Sequence, residues 1–138
     1  MSRRLPTQSG EDLNHAAIFC CPACPALDRY ITLYNQVAHL KSADPQIGLK
    51  LPELLRLVGG HAIQLHVVQP AFMDSGAKRI HQITLENITE AIIAGGLATP
   101  AELTAVVAEL DAFAQNPHTL VSFPRIFQVW GYCGPRAG

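Results

Sequence analysis

Two segments of this chain have the composition of β-strands, and a long helical stretch separates them. In Ala62-Ile63-Gln64-Leu65-His66-Val67, apolar and polar residues alternate with period two, and the run continues through Val68 and Gln69 until Pro70 interrupts it. The second segment, Arg125-Ile126-Phe127-Gln128-Val129-Trp130, is rich in β-branched and aromatic residues and is short enough for a strand. Two strands alone are marginal in water, and the apolar faces of helices need a broader sheet to cover. The pattern therefore predicts an α/β chain whose sheet is completed by a partner or by polypeptide outside it.

The remaining periodicities predict about four helices and a strand stub near the N-terminus. Leu27, Tyr30, Ile31, Tyr34, Val37 and Ala38 recur at the spacing of an amphipathic helix that ends at Ala43-Asp44-Pro45. A short helix fits Leu51 to Val58, with Pro52 in its first turn, Leu54, Leu55 and Val58 facing inward, and Gly59-Gly60 as its stop. Thr84 is expected to cap a third helix with Glu86 in its first turn, Ile88, Ala91 and Ile92 inside, and Gly95-Gly96 at its end. Thr99-Pro100-Ala101-Glu102 is the clearest start signal, a cap, a first-turn proline and a reciprocal glutamate ahead of Leu103, Val106, Val107, Leu110 and Phe113. Asn116-Pro117 stops that helix.

With 138 residues, 49% hydrophobic and 15% charged, the chain is read as one domain, residues 1–138, with a sizeable core and a flexible stretch over 1–9. A net charge of −1 removes the electrostatic footprint of a nucleic-acid binder. The longest apolar stretch, Ala16 to Leu27, contains two prolines and is too short to span a bilayer, and acidic Glu11 and Asp12 replace the basic start of a signal peptide. Four cysteines without framework spacing point to a reducing cytoplasm.

Cys21 and Cys24 form a C-x-x-C pair ahead of the first helix, beside Cys20. A zinc site would need Cys133 and a borrowed His15 as its other ligands. A redox dithiol would gain from the helix N-terminus, but its usual fold places a strand directly before the pair and βαβ units around it, and Asn14 to Phe19 follows a polar start too brief to provide them. A proline-containing loop that happens to carry cysteines is the reading preferred to both.

The stretches GEDLNHAAIFCCPACPALDRYITLYNQV, DPQIGLKLPELLRLVGG, LHVVQPAFM and TLENITEAIIAGGLATPAELTAVVAELDAFAQNPHTLVSFPRIFQVWG together resemble the C-terminal half of class I S-adenosylmethionine-dependent methyltransferases of the small-molecule type. The resemblance runs from about Gly10 to Gly131. It implies a partial Rossmann-like fold in which Glu11-Asp12-Leu13 ends the fifth strand, Ala62 to Val68 is the sixth, and the last strand is antiparallel. The terminal pair would be about 62–69 with 125–132. The Gly-rich turn and acidic residue that hold the cofactor in that family are missing, and no segment upstream of residue 10 has room for them. S-adenosylmethionine is thus the implied cofactor, with a complementary cofactor-binding chain or a homo-oligomer supplying what this chain lacks. A non-catalytic, homodimerising or regulatory derivative of the family is the alternative.

By the same resemblance, His15, Phe19, Tyr30 and Tyr34 fall near the mouth beyond the carboxyl ends of the strands, where open α/β sheets bind ligands. Phe19, Tyr30, Tyr34 and Arg125 are the expected contacts for a small-molecule methyl acceptor, with Arg125 meeting an anionic group. His15 is the candidate base, because imidazole titrates near working pH. Helical spacing equally suits Tyr30 and Tyr34 to a core. His61 and His66 receive no role, and the acceptor itself is not identified by sequence.

Overall fold

The computed structural model describes residues 18–44 and 47–134. In chain order the elements are β1 (Cys20–Cys21), α1 (Pro25–Leu40), α2 (Ile47–Leu57), β2 (His61–Val68), β3 (Ala71–Phe72), α3 (Ser75–Lys78), α4 (Ile80–Ala94), α5 (Pro100–Gln115), β4 (Leu120–Ser122) and β5 (Ile126–Tyr132). The strands form two small sheets, an antiparallel β2–β5 ribbon and an antiparallel three-stranded sheet in the order β1, β4, β3.

The two sheets share the same pair of chain segments. Val68 faces Ile126 at the end of the ribbon, and Ala71 faces Ser122 where pairing resumes. Between them one segment places Gln69 and Pro70, and the other Phe123, Pro124 and Arg125. A proline has no N–H to give to a ladder, so the pairing breaks where both segments carry one. A single backbone bond, Phe123 N–H to the Pro70 carbonyl at 2.8 Å, spans the break.

The core lies among α1, α4 and α5 with β4 at its edge. Leu27, Tyr30, Ile31, Leu33 and Val37 from α1 meet Leu85 and Ile92 from α4, Leu103, Val106 and Leu110 from α5, and Val121 from β4. Each such aliphatic side chain contributes roughly 1.5–3 kcal/mol on leaving water, which makes this helical layer the stable part of the chain. An ion pair reinforces it: Arg29 Nε meets Glu102 Oε1 at 2.8 Å while Arg29 Nη2 donates to the Leu97 carbonyl at 3.1 Å.

Several expectations are met. The 62–69 and 125–132 segments pair antiparallel, Thr99 accepts from the Glu102 N–H at 3.1 Å at the head of α5, and Gly59 follows α2 at φ +94°, a conformation costly for any residue with a Cβ.

Others are corrected. Thr84 caps nothing: it lies inside α4 and donates to the Ile80 carbonyl at 2.9 Å, whereas Asp74 caps the preceding turn α3 by accepting from Ala77 N–H at 2.9 Å. The helical path therefore starts upstream of the β-branched residue that imitated a cap. Helix α2 begins at Ile47, which leaves Pro52 inside it, and none of its residues is buried. Leu54 and Val58, expected inward, are exposed, because the ribbon is too narrow to cover more than one stripe of the helix. The fold is mixed α/β with about four substantial helices and two small antiparallel sheets; a broad Rossmann-like sheet is not present among the described residues. No helix among those residues is long and apolar enough to cross a membrane.

Candidate functional site

The small sheet and helices α1 and α4 meet around Ser122. Phe19, just ahead of β1, donates its N–H to Ser122 Oγ at 2.9 Å and accepts the Ser122 N–H at 2.9 Å. From the far side, Gln69 Nε2 reaches Ser122 Oγ at 3.4 Å and the Phe123 carbonyl at 3.2 Å. His81, on the buried face of α4, donates from Nε2 to the Ser122 carbonyl at 2.7 Å. Carbonyl oxygens only accept, so this bond fixes the tautomer with its proton on Nε2.

Aromatic rings continue the cluster. The Tyr30 ring lies 5.3 Å from the His81 ring and 6.1 Å from Tyr34. Phe72 and Phe123 pack against each other at 4.7 Å. Burial pushes the Tyr30 hydroxyl well above the usual phenol range, with its side-chain hydrogen bond to Thr84 partly opposing it. Burial also holds His81 below the usual imidazole value, and its bond to Ser122 partly opposes that shift. Both groups are therefore neutral at working pH. Since His81 meets the Ser122 carbonyl, and the Ser122 hydroxyl accepts from Phe19, these two residues do not form a nucleophile–base pair.

The structure links three of the expected acceptor contacts. Phe19, Tyr30 and Tyr34 follow one another through Ser122 and His81. Phe19 is 46% exposed, Tyr34 is half-buried, and Tyr30 has 0% exposure, so Tyr30 packs and does not reach solvent. Arg125 lies between β4 and β5, directly after the proline break. His15 and the Glu11-Asp12-Leu13 segment lie outside the described residues. The sequence reading missed His81, Gln69 and Ser122. Starting α4 at Ile80 would have found His81, because it shares the four-three-four spacing of Leu85, Ile88 and Ile92.

Burial sets the character of two of the cysteines. Cys24 occupies the position before α1 with its side chain buried, and burial raises its thiol above the usual value despite bonds from the Leu27 and Ala26 N–H groups. Cys20 is raised for the same reason. Cys21 is exposed, and its peptide bond to Pro22 is cis. Among the described residues no three His, Cys, Asp or Glu side chains are placed to hold a metal ion.

A second surface lies on the ribbon. Helix α2 covers the face of β5 that carries Phe127, Val129 and Gly131: a Cβ at Gly48 would overlap the Phe127 ring, and one at Gly131 would stand 3.4 Å from Leu55 Cδ2. The opposite face presents Ile126, Gln128, Trp130 and Tyr132 beside Val68, His66 and Gln64. Trp130 is 52% exposed and Tyr132 67%, and Leu57 and Val58 at the end of α2 are more exposed than buried.

No protein-family model matches this chain, and no curated protein matches it.

Proposed function

We propose that this chain is the acceptor-side half of a class I S-adenosylmethionine-dependent methyltransferase, with its ribbon forming part of a larger Rossmann-like sheet that a cofactor-binding half completes. The observation that carries this reading is the antiparallel pairing of β2 with β5 across the helical insert α3–α5, while apolar side chains on the ribbon and α2 remain in solvent. A ribbon of two strands is marginal by itself, and an exposed contiguous apolar patch marks an interaction surface.

The described residues do not fit S-adenosylmethionine unaided. Gly59 and Gly96 adopt positive φ, +94° and +68°, but both follow helices. Neither opens a helix after a strand, which is what a phosphate- or nucleoside-binding turn requires. No step of methyl transfer is assigned to this half. Its own contribution is to position the acceptor: Phe19 and Tyr34 supply aromatic surface, Arg125 supplies a cation, and His15 is the proposed base for an acceptor that must lose a proton. Free thiols at Cys20, Cys21, Cys24 and Cys133 accord with a reducing cytoplasm.

Calorimetry with S-adenosylmethionine tests the proposal, on this chain alone and on the chain co-expressed with the polypeptides encoded beside it. Binding heat is expected only from the assembled pair, together with transfer of a labelled methyl group to a small molecule. No binding by any combination would remove the enzyme reading.

A second reading rests on the strand edges. Ile126–Tyr132 carries no charge and no proline, so nothing in β5 discourages pairing with another copy of itself. Light scattering that finds a stable homodimer without cofactor affinity would favour a non-catalytic assembly domain.

A further inference from the structure

We propose that the proline break is a hinge, about which the ribbon and α2 move as one body against the helical core. Helix α2 packs on β2 and β5, while α1, α3, α4, α5 and the three-stranded sheet pack among themselves. Among the described residues no element of the first group packs broadly on an element of the second. The buried core agrees: its members lie within residues 18–37 and 85–121, and neither α2 nor either strand of the ribbon contributes one. Parts of a chain that share no large apolar interface move relative to one another by default.

The break supplies the axis. Val68 pairs with Ile126 on the ribbon side of it and Ala71 with Ser122 on the core side, with two residues between on one segment and three on the other, so the register slips by one across the gap. The core side is anchored, since the Phe72 and Phe123 rings pack at 4.7 Å and the Phe123 N–H donates to the Pro70 carbonyl at 2.8 Å. Pro70 and Pro124 withhold the N–H groups that would stiffen the gap as a ladder. Gln69 Nε2 reaches across to the Phe123 carbonyl at 3.2 Å, and a side-chain amide can follow a rotation that a ladder would resist. Residues 69–70 and 123–125 therefore absorb the rotation, as hinge residues at element ends do.

The remaining link, from α1 to α2, divides in the same way. The Ala43 N–H donates back to the Ala38 carbonyl at 2.8 Å, whereas the Asp44 carboxylate pairs forward with Lys50 on α2. The moving body is itself firm, because the close approaches of Gly48 to Phe127 and of Gly131 to Leu55 hold α2 on the ribbon. The hinge lets the ribbon meet a partner without repacking the helical core. It goes beyond the methyl-transfer reading and stands whether or not S-adenosylmethionine binds.

The test is the residual dipolar couplings of the backbone amides, measured by nuclear magnetic resonance on the full chain. Amides of α1, α4 and α5 should fit one alignment tensor, and those of α2, β2 and β5 a second of smaller magnitude. Replacing both prolines, Pro70→Val with Pro124→Val, returns two N–H donors to the gap and should raise the ribbon's alignment toward that of the core, with circular dichroism confirming that the variant folds. One tensor that fits every wild-type amide would overturn the proposal by itself, whatever the variant does. Two tensors left unchanged in the folded double variant would overturn the placing of the hinge at the prolines.

Discussion

The Ser122 carbonyl receives the Nε2 proton of His81 at 2.7 Å, and this bond ties β4 to α4 at a point where neither side chain has appreciable contact with solvent. Burial makes the charged imidazole unfavourable in the fold, so the folded pKa lies below the ordinary 6.5. The unfolded chain then binds the proton more readily, and stability rises with pH across that window. The share contributed by His81 is complete above about pH 6.5 and is lost as pH falls through the lower folded value. Urea unfolding of the wild type should therefore show a steeper loss of stability below pH 6.5 than His81→Gln, which keeps a donor for Ser122 but does not titrate. Parallel pH profiles would contradict the assignment.

Lys78 is 4% exposed, and its ammonium donates to the Asn116 carbonyl at 2.8 Å, Thr119 Oγ1 at 2.9 Å and the Thr119 carbonyl at 3.3 Å. No carboxylate among the described residues pairs with it. Three neutral acceptors thus hold the end of α3 to the turn before β4. Lys78→Met keeps the bulk and strands those acceptors, and should cost about 2–4 kcal/mol in chemical denaturation. A variant as stable as the wild type would mean that the ammonium is not held there.

Close approach of Gly48 to Phe127 sets how α2 lies on the ribbon. Gly48→Leu should lift the helix. Amides of β2 and β5 should then exchange faster with solvent, while those of α1, α4 and α5 keep their protection, because the helical core does not depend on α2. Uniform loss of protection would show one cooperative unit instead of a core with an attached ribbon.

Iodoacetamide near neutral pH should label Cys21 and Cys133, both exposed, and leave Cys24 unlabelled until denaturant is added. The raised thiol of Cys24 and its burial act in the same direction. Fast labelling of Cys24 in the folded chain would contradict its burial, and an ordinary thiol rate at Cys21 would remove the redox reading.

Much of the secondary structure was legible because its causes are local. A cap needs its acceptor and N–H within one turn, so Thr99 and Glu102 announced α5, and the double glycines at 59–60 and 95–96 marked two helix ends. The misplaced start of α4 has an equally local cause, since Asp74 offered a cap with no apolar run directly behind it and Thr84 offered the run without the cap. The strands β1, β3 and β4 are two or three residues long and carry no periodicity of their own. They exist because Ser122 accepts and donates across to Phe19, and Phe123 to Pro70, contacts between residues far apart in the chain.

Spacing by itself determined the helical and strand segments, the α1 and α5 amphipathic faces and the two segments of strand character. Tertiary structure alone decided that prolines at 70 and 124 would divide that pairing into two sheets, that His81 and Lys78 would be buried on neutral partners, and that α2 would bury none of its residues fully. The physical reason is range. Helix periodicity and capping act within a few residues, whereas burial and strand pairing depend on what the rest of the chain brings to each surface.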